Sequence, residues 1–290
     1  MFASIYKSTI NSILRSTLFR TTFVFMLVVA VFIRMGDRYS IPLGNNEFVT
    51  YIKYLPILFR CSYWIQLVVM AAMLPVLAVF AIYDKDHMVY DIELAAGMKQ
   101  GAYMLARGLA FFMLYSVCLL LMTMVNFLSY FFFDTVNAQI PIIETAIRIA
   151  ALFAMMNIPV GLFFVFAIIA VTVLTRSKAA GISAGVVYIM GAHFIQGRFF
   201  TLPPSGVGRF LVEKQSVVRD VLAPMNDPRA ILEMLERGEP LARYHSGDLS
   251  LLLHLDAAAL TEIMVYIGLG AILIVILSVL LPKLSKNIFG

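Results

Sequence analysis

Charge is scarce in this chain. Only 13% of its 290 residues are Asp, Glu, Lys or Arg, about half the share of an ordinary soluble domain. That shortage excludes a disordered, self-repelling polymer and argues against a soluble globular enzyme. Cysteine is nearly absent. Cys61 and Cys118 both lie in apolar runs, so no pair of loop thiols is available for a disulfide framework or to report a redox compartment. The net charge of +5 is spread along the chain, so no nucleic-acid partner is expected.

Several chemical signatures are also missing. The sequence holds no G-x-x-x-x-G-K-[ST], so the chain is expected not to hydrolyse ATP itself and not to be an enzyme. It holds no G-x-G-x-x-G and no H-E-x-x-H. Its four histidines, His87, His193, His245 and His254, do not cluster with other ligands, and no metal or other cofactor is expected on this chain. No lone carboxylate falls in the middle of an apolar run, which argues against a proton- or sodium-coupled carrier.

What is present is apolar. The apolar share is 61% and the mean hydropathy +0.90, against roughly 45–50% apolar residues in soluble domains. Five uncharged runs are long enough to cross a bilayer: Cys61–Tyr83, Gly108–Phe133, Ile149–Thr175, Ala179–Gln196 and Ile263–Leu281. A shorter sixth run, Thr21–Ile33, reaches spanning length if Arg20 and Arg34 snorkel to opposite interfaces. It begins too far into the chain, and lacks the small-residue cleavage site, to read as a signal peptide. The runs are continuous rather than alternating, which excludes a β-barrel. The expected fold is therefore an all-α integral membrane protein with six transmembrane helices.

Lysine and arginine set the orientation. With both termini cytoplasmic, Lys7, Arg15, Arg20, Lys85, Lys99, Arg107, Arg176, Lys178, Lys283 and Lys286 lie inside. Arg34, Arg38, Lys53, Arg60 and Arg148 lie in short outer connections. The long segment after span five is left out of that comparison.

Four regions follow. Residues 1–20 read as an amphipathic helix in the membrane interface, with Phe2, Ile5, Tyr6, Ile10, Ile13 and Leu14 recurring at helical spacing. Residues 21–198 hold spans one to five and a charged cytoplasmic loop, 84–107. In that loop Asp86 can cap a short helix through Glu93, and Gly97 and Gly101 interrupt it before span three. Residues 199–261 form an extracytoplasmic helical region, broken by Pro203-Pro204 and restarted at Asp227-Pro228. Residues 262–290 hold span six and a cytoplasmic tail.

Polar residues inside the spans are the remaining candidates for function: Gln66, Thr123, Asn126, Asn157, Thr172, Tyr188 and His193. Each could line a path or form an interhelical hydrogen bond. Pro75 and Pro159 are expected to kink their helices. Gly181-Ile182-Ser183-Ala184-Gly185 matches G-x-S-x-G, the nucleophile elbow of soluble hydrolases. Here it sits in an apolar helix without a preceding strand. Close helix packing through small residues is the preferred reading, and a membrane-embedded hydrolase using Ser183 is a remote alternative.

One architecture gathers these features. An interfacial helix leads into six spans. A charged loop between spans two and three reads Tyr90-Asp91-Ile92-Glu93-Leu94-Ala95-Ala96-Gly97, with Tyr103-Met104-Leu105-Ala106-Arg107 opening span three. An enlarged outer region separates spans five and six. This resembles the permease subunit of bacterial ABC exporters of the type 2 family, whose fold is shared with the G-subfamily half-transporters. The resemblance implies a loop helix that docks on separate ABC ATPase subunits, with Glu93 at the contact, Gly97 ending the helix, and Asp91, Lys99 and Arg107 nearby. ATP and Mg would be held by the ATPase. A second permease copy or a homologous permease would complete the pathway, with Asn157, Tyr188, His193 and Gln66 near it. Membrane lipids are the other partners, and a bacterial inner membrane the expected location. The family's usual proline-containing stretch before span three is missing. An amphipathic cargo is expected: a peptide, a lipid or a hydrophobic drug. An ATP-independent carrier or a scaffold for a membrane complex is the other class that fits.

Overall fold

The computed structural model describes residues 2–36, 65–82, 99–133, 142–195 and 257–280. Among them every regular element is a helix. In chain order these are α1 (Phe2–Arg15), α2 (Thr17–Gly36), α3 (Ile65–Ile82), α4 (Gln100–Phe133), α5 (Ile142–Thr175), α6 (Lys178–Ile195) and α7 (Ala257–Val275), which runs on into a π-helical turn, Ile276–Leu280. The outer region 199–256 and most of the charged loop, residues 83–98, lie outside the described residues.

Ile65–Ile82, Gly101–Val125 and Asn157–Thr175 are each long and apolar enough to cross a membrane. A fourth crossing exists if Phe2–Arg15 and Thr17–Phe32, bent by 68° at Ser16, count as one. The apolar stretches of α6 and α7 are shorter, Lys178–Gly191 and Ile263–Val279. The described chain is thus all-α, with three helices of spanning character, or four with the bent pair.

Helix α3 is the centre of the bundle. Val69, Met73, Val76, Leu77 and Ala78 are wholly buried. Phe111, Tyr115 and Leu119 of α4 and Val165 and Phe166 of α5 share its core. Lipid tails are as apolar as these side chains, so shape rather than dehydration must hold the helices together. Glycine provides that shape. A methyl group at Gly108 would meet the Phe166 ring, and one at Gly161 the Tyr115 ring. Helix α7 packs on α5 at the rim, and Met264, Val265 and Ile272 point outward.

Three boundaries differ from the sequence reading. The amphipathic segment stops at Arg15 rather than 20, because Ser16 punctuates the chain. Its hydroxyl accepts from the Phe19 N–H at 3.1 Å and donates to the Ile13 carbonyl at 2.7 Å, which caps α2. Helix α4 starts at Gln100, so its first two turns fall within the segment 84–107. Gly101 does not break a helix but sits inside the first turn of α4. It lets the backbone carbonyl of Ser278 press against α4, where any Cβ would collide. Helix α5 begins at Ile142 and continues through Pro159, and α3 continues through Pro75.

Candidate functional site

The helix ends that flank the charged loop meet at one end of the bundle. Phe80 is in the last described turn of α3. Arg107 is two turns into α4 and only 5% exposed. A buried guanidinium is expensive in an apolar setting unless its donors are used. Here they are. Nη1 donates to the Tyr103 hydroxyl at 2.8 Å, and Nη2 donates to the Phe80 carbonyl. The guanidinium also lies over the Tyr103 and Phe111 rings, 5.5 and 5.8 Å from their centroids. The hydrogen bond from Arg107 to the Phe80 carbonyl ties α3 to α4 across the base of the loop.

The N-terminal helix joins the same end. Ile5 packs with Tyr103 and Ala106, and α1 packs against α4. Ile5, Thr9 and Ile13 form the buried face, so α1 is fastened to protein along that face. The Lys99 carbonyl accepts from the Tyr103 N–H at 3.1 Å, and the Lys99 side chain is exposed. Ser278 of the π turn abuts Gly101. Four elements therefore hold the place where the loop leaves and re-enters the bundle. Asp91, Glu93 and Gly97 lie outside the described residues.

A second group sits halfway along the bundle. Thr172 and Gly181 lie together with Ala78, and Ile168 and Gly185 with Leu74. This register runs α3 parallel to α5, with α6 antiparallel to both. Gln66 precedes Leu74 by as many residues as Val160 precedes Ile168, so the two share a level. Tyr115, against Gly161, lies at that level too. Gln66, Tyr115, Ser116 and Asn157 thus occupy a layer about one or two helical turns deep, near the middle of α4 and α5. All four are buried. The Gln66 amide, the Tyr115 hydroxyl and the Ser116 hydroxyl have no hydrogen-bond partner among the described residues.

Thr123 and Thr172 behave differently. Each donates to the carbonyl four residues back, at 2.8 and 2.7 Å, and so satisfies itself within its own helix. Tyr188 is half-buried, with its ring 5.9 Å from Phe163 and 5.6 Å from Phe164. The side chains of Asn126 and His193 lie outside the described residues.

The G-x-S-x-G string packs as a small-residue seam. A methyl group at Gly181 would meet Thr172 and Ala78, and one at Gly185 would meet Leu74 and Ile168. Ser183 is exposed, on another face of α6. Cys118 is a buried free thiol in the core. Among the described residues no group of three His, Cys, Asp or Glu side chains could hold a metal.

The buried seats of Arg107 and Tyr103 were missed from sequence. An aromatic four residues before a basic residue is their only trace in the sequence. No family model matches this chain, and no curated protein matches it.

Proposed function

We propose that this protein is the permease subunit of an ABC exporter in a bacterial inner membrane, with six spans and both termini in the cytoplasm. In this reading the charged loop after α3 takes force from a separate ATPase, and the bundle carries an amphipathic peptide, lipid or drug across the bilayer. One observation carries the reading. The loop base is a braced junction, in which α1, the end of α3 and the start of α4 are joined through Ile5, Tyr103, Arg107 and Phe80. A loop that only linked two spans would need no such bracing. A loop pushed by a partner does, because displacement at its tip must reach whole helices rather than dissipate in the backbone.

The buried polar layer supports the pathway part of the reading. Gln66, Tyr115, Ser116 and Asn157 are neutral donors and acceptors near mid-length. Such groups suit an amphipathic cargo with amide or hydroxyl functions and offer no charge for ion coupling. Two permease copies rocking about the loop contacts would alternate access to them.

The test is co-purification of the full-length protein from its native membranes in mild detergent. A stoichiometric P-loop ATPase is expected, and Glu93→Ala should detach it or uncouple its hydrolysis from transport while the permease stays folded. Isolation of the protein intact and alone, with membranes showing no ATP-dependent transport, would overturn the proposal and favour the carrier or scaffold.

A further inference from the structure

Helix α1 is bound on one face and open on another. Ile5, Thr9 and Ile13 are buried. Ser4, Lys7, Ser8, Asn11, Ser12 and Arg15 are all exposed and together line one shallow groove. Their spacing of three and four residues places them in a single stripe along the helix. Each of the six can donate a hydrogen bond. Lys7 and Arg15 stand about 12 Å apart along the axis, with the short hydroxyl and amide side chains at and between them.

The electrostatics of this segment are one-sided. Residues 1–36 contain Lys7, Arg15, Arg20 and Arg34 but no Asp or Glu. An ordinary solvated helix face mixes both signs and uses long side chains. This one is uniformly donating, and its short side chains leave room above the helix. Orientation adds a further point. Helix α2 carries exposed Val24, Phe25, Val28 and Phe32, as a lipid-facing helix does. With α2 upright in a bilayer, the 68° bend at Ser16 would bring α1 to within about 22° of the membrane surface. Exposed Phe2 and Leu14, at either end of α1, give it apolar anchors at the depth where acyl chains begin.

We propose that the Ser4–Arg15 stripe is a binding site for the phosphate groups of anionic phospholipids. Lys7 and Arg15 neutralise the headgroup charge, and Ser4, Ser8, Asn11 and Ser12 donate to the phosphate and glycerol oxygens. The site seats α1 at the interface through the face that the protein contacts leave open. It rests only on the membrane character of the chain and stands whatever the loop after α3 binds.

The test uses the full-length protein, delipidated in detergent, with its thermal midpoint followed on lipid addition. Three additions are compared: phosphatidylcholine alone, phosphatidylcholine with one-fifth phosphatidylglycerol, and inorganic phosphate. The phosphatidylglycerol mixture is expected to raise the midpoint of the wild type beyond phosphatidylcholine alone, with an effect that weakens as salt is added. Lys7→Gln with Arg15→Gln should shift the half-effective phosphatidylglycerol concentration upward by roughly tenfold or more, with an unchanged midpoint in phosphatidylcholine. Lys7→Arg with Arg15→Lys keeps both charges and should keep the response. An undiminished response in the double Gln variant overturns the proposal. So does loss of the response in the charge-conserving variant, or an equal shift from inorganic phosphate alone.

Discussion

Helix α3 is held in two places by opposite means. Its last described turn is gripped by Arg107, a charged side chain that reaches into the bundle to meet the Phe80 carbonyl. Its middle is held by Gly181 and Gly185 of α6, which contribute no side chain and let Leu74 and Ala78 approach their backbone. The first contact is polar, directional and adjustable. The second is steric, and a larger residue there must displace Leu74 or Thr172. The contrast separates a joint that can transmit or release motion from a seam that must stay closed while it does so.

The sharpest way to break this comparison is Gly185→Val. Its side chain would run into both Leu74 and Ile168, and overpacking of this kind costs about 3 kcal/mol at the upper end of the usual range. Unfolding midpoints in lipid nanodiscs should fall steeply. A near-neutral result would mean that the α3–α6 seam can open, and that the two contacts do not differ in kind.

Arg107 tests the other half with a smaller expected effect. Arg107→Met removes charge-assisted hydrogen bonds to Tyr103 and Phe80, with a loss of about 2 kcal/mol. Arg107→Lys keeps the charge but not the planar fork that serves two acceptors at once, so it should recover only part of that loss. Proteolysis of the loop after α3, followed over time, supplies a second readout. Faster cleavage in Arg107→Met than in Gly185→Val at matched stability would show that the clamp governs the loop and the seam does not. Equal rates would remove that distinction.

The smallest change sharpens the seam alone. The turn between α5 and α6 puts Arg176 at φ 55, the left-handed conformation that ends many helices. Ser177 then caps α6, its hydroxyl accepting from the Ala180 N–H at 3.2 Å. Ser177→Ala should cost about 1 kcal/mol in the same unfolding measurement. No change would mean that the glycine contacts alone fix where α6 starts.

Some of this was legible in the sequence. Each apolar run read as a span is helical over its described part, because run length and continuity are one-dimensional properties that lipid turns directly into helix. The G-x-x-x-G spacing within the G-x-S-x-G string likewise announced a packing face. Gly101 was misread because a glycine near a helix start can break it or admit a neighbour, and only the position of Ser278 decides. The burial of Arg107 was not legible for a related reason. A charge looks like a boundary until the partners that bury it are known, and Phe80 stands 27 residues away. Gln66 and Asn157 were named from sequence, but their shared level with Tyr115 depends on the register of three helices.

The length and continuity of the apolar runs determined that the described backbone would be helical, because a continuous apolar stretch can satisfy its backbone hydrogen bonds within itself only as a helix. Only the tertiary structure decided which polar groups face inward and what they meet. The physical reason is that a lone guanidinium or amide in an apolar bundle has no favourable place of its own. Its position is set by whichever distant carbonyl, hydroxyl or ring the packing brings within reach.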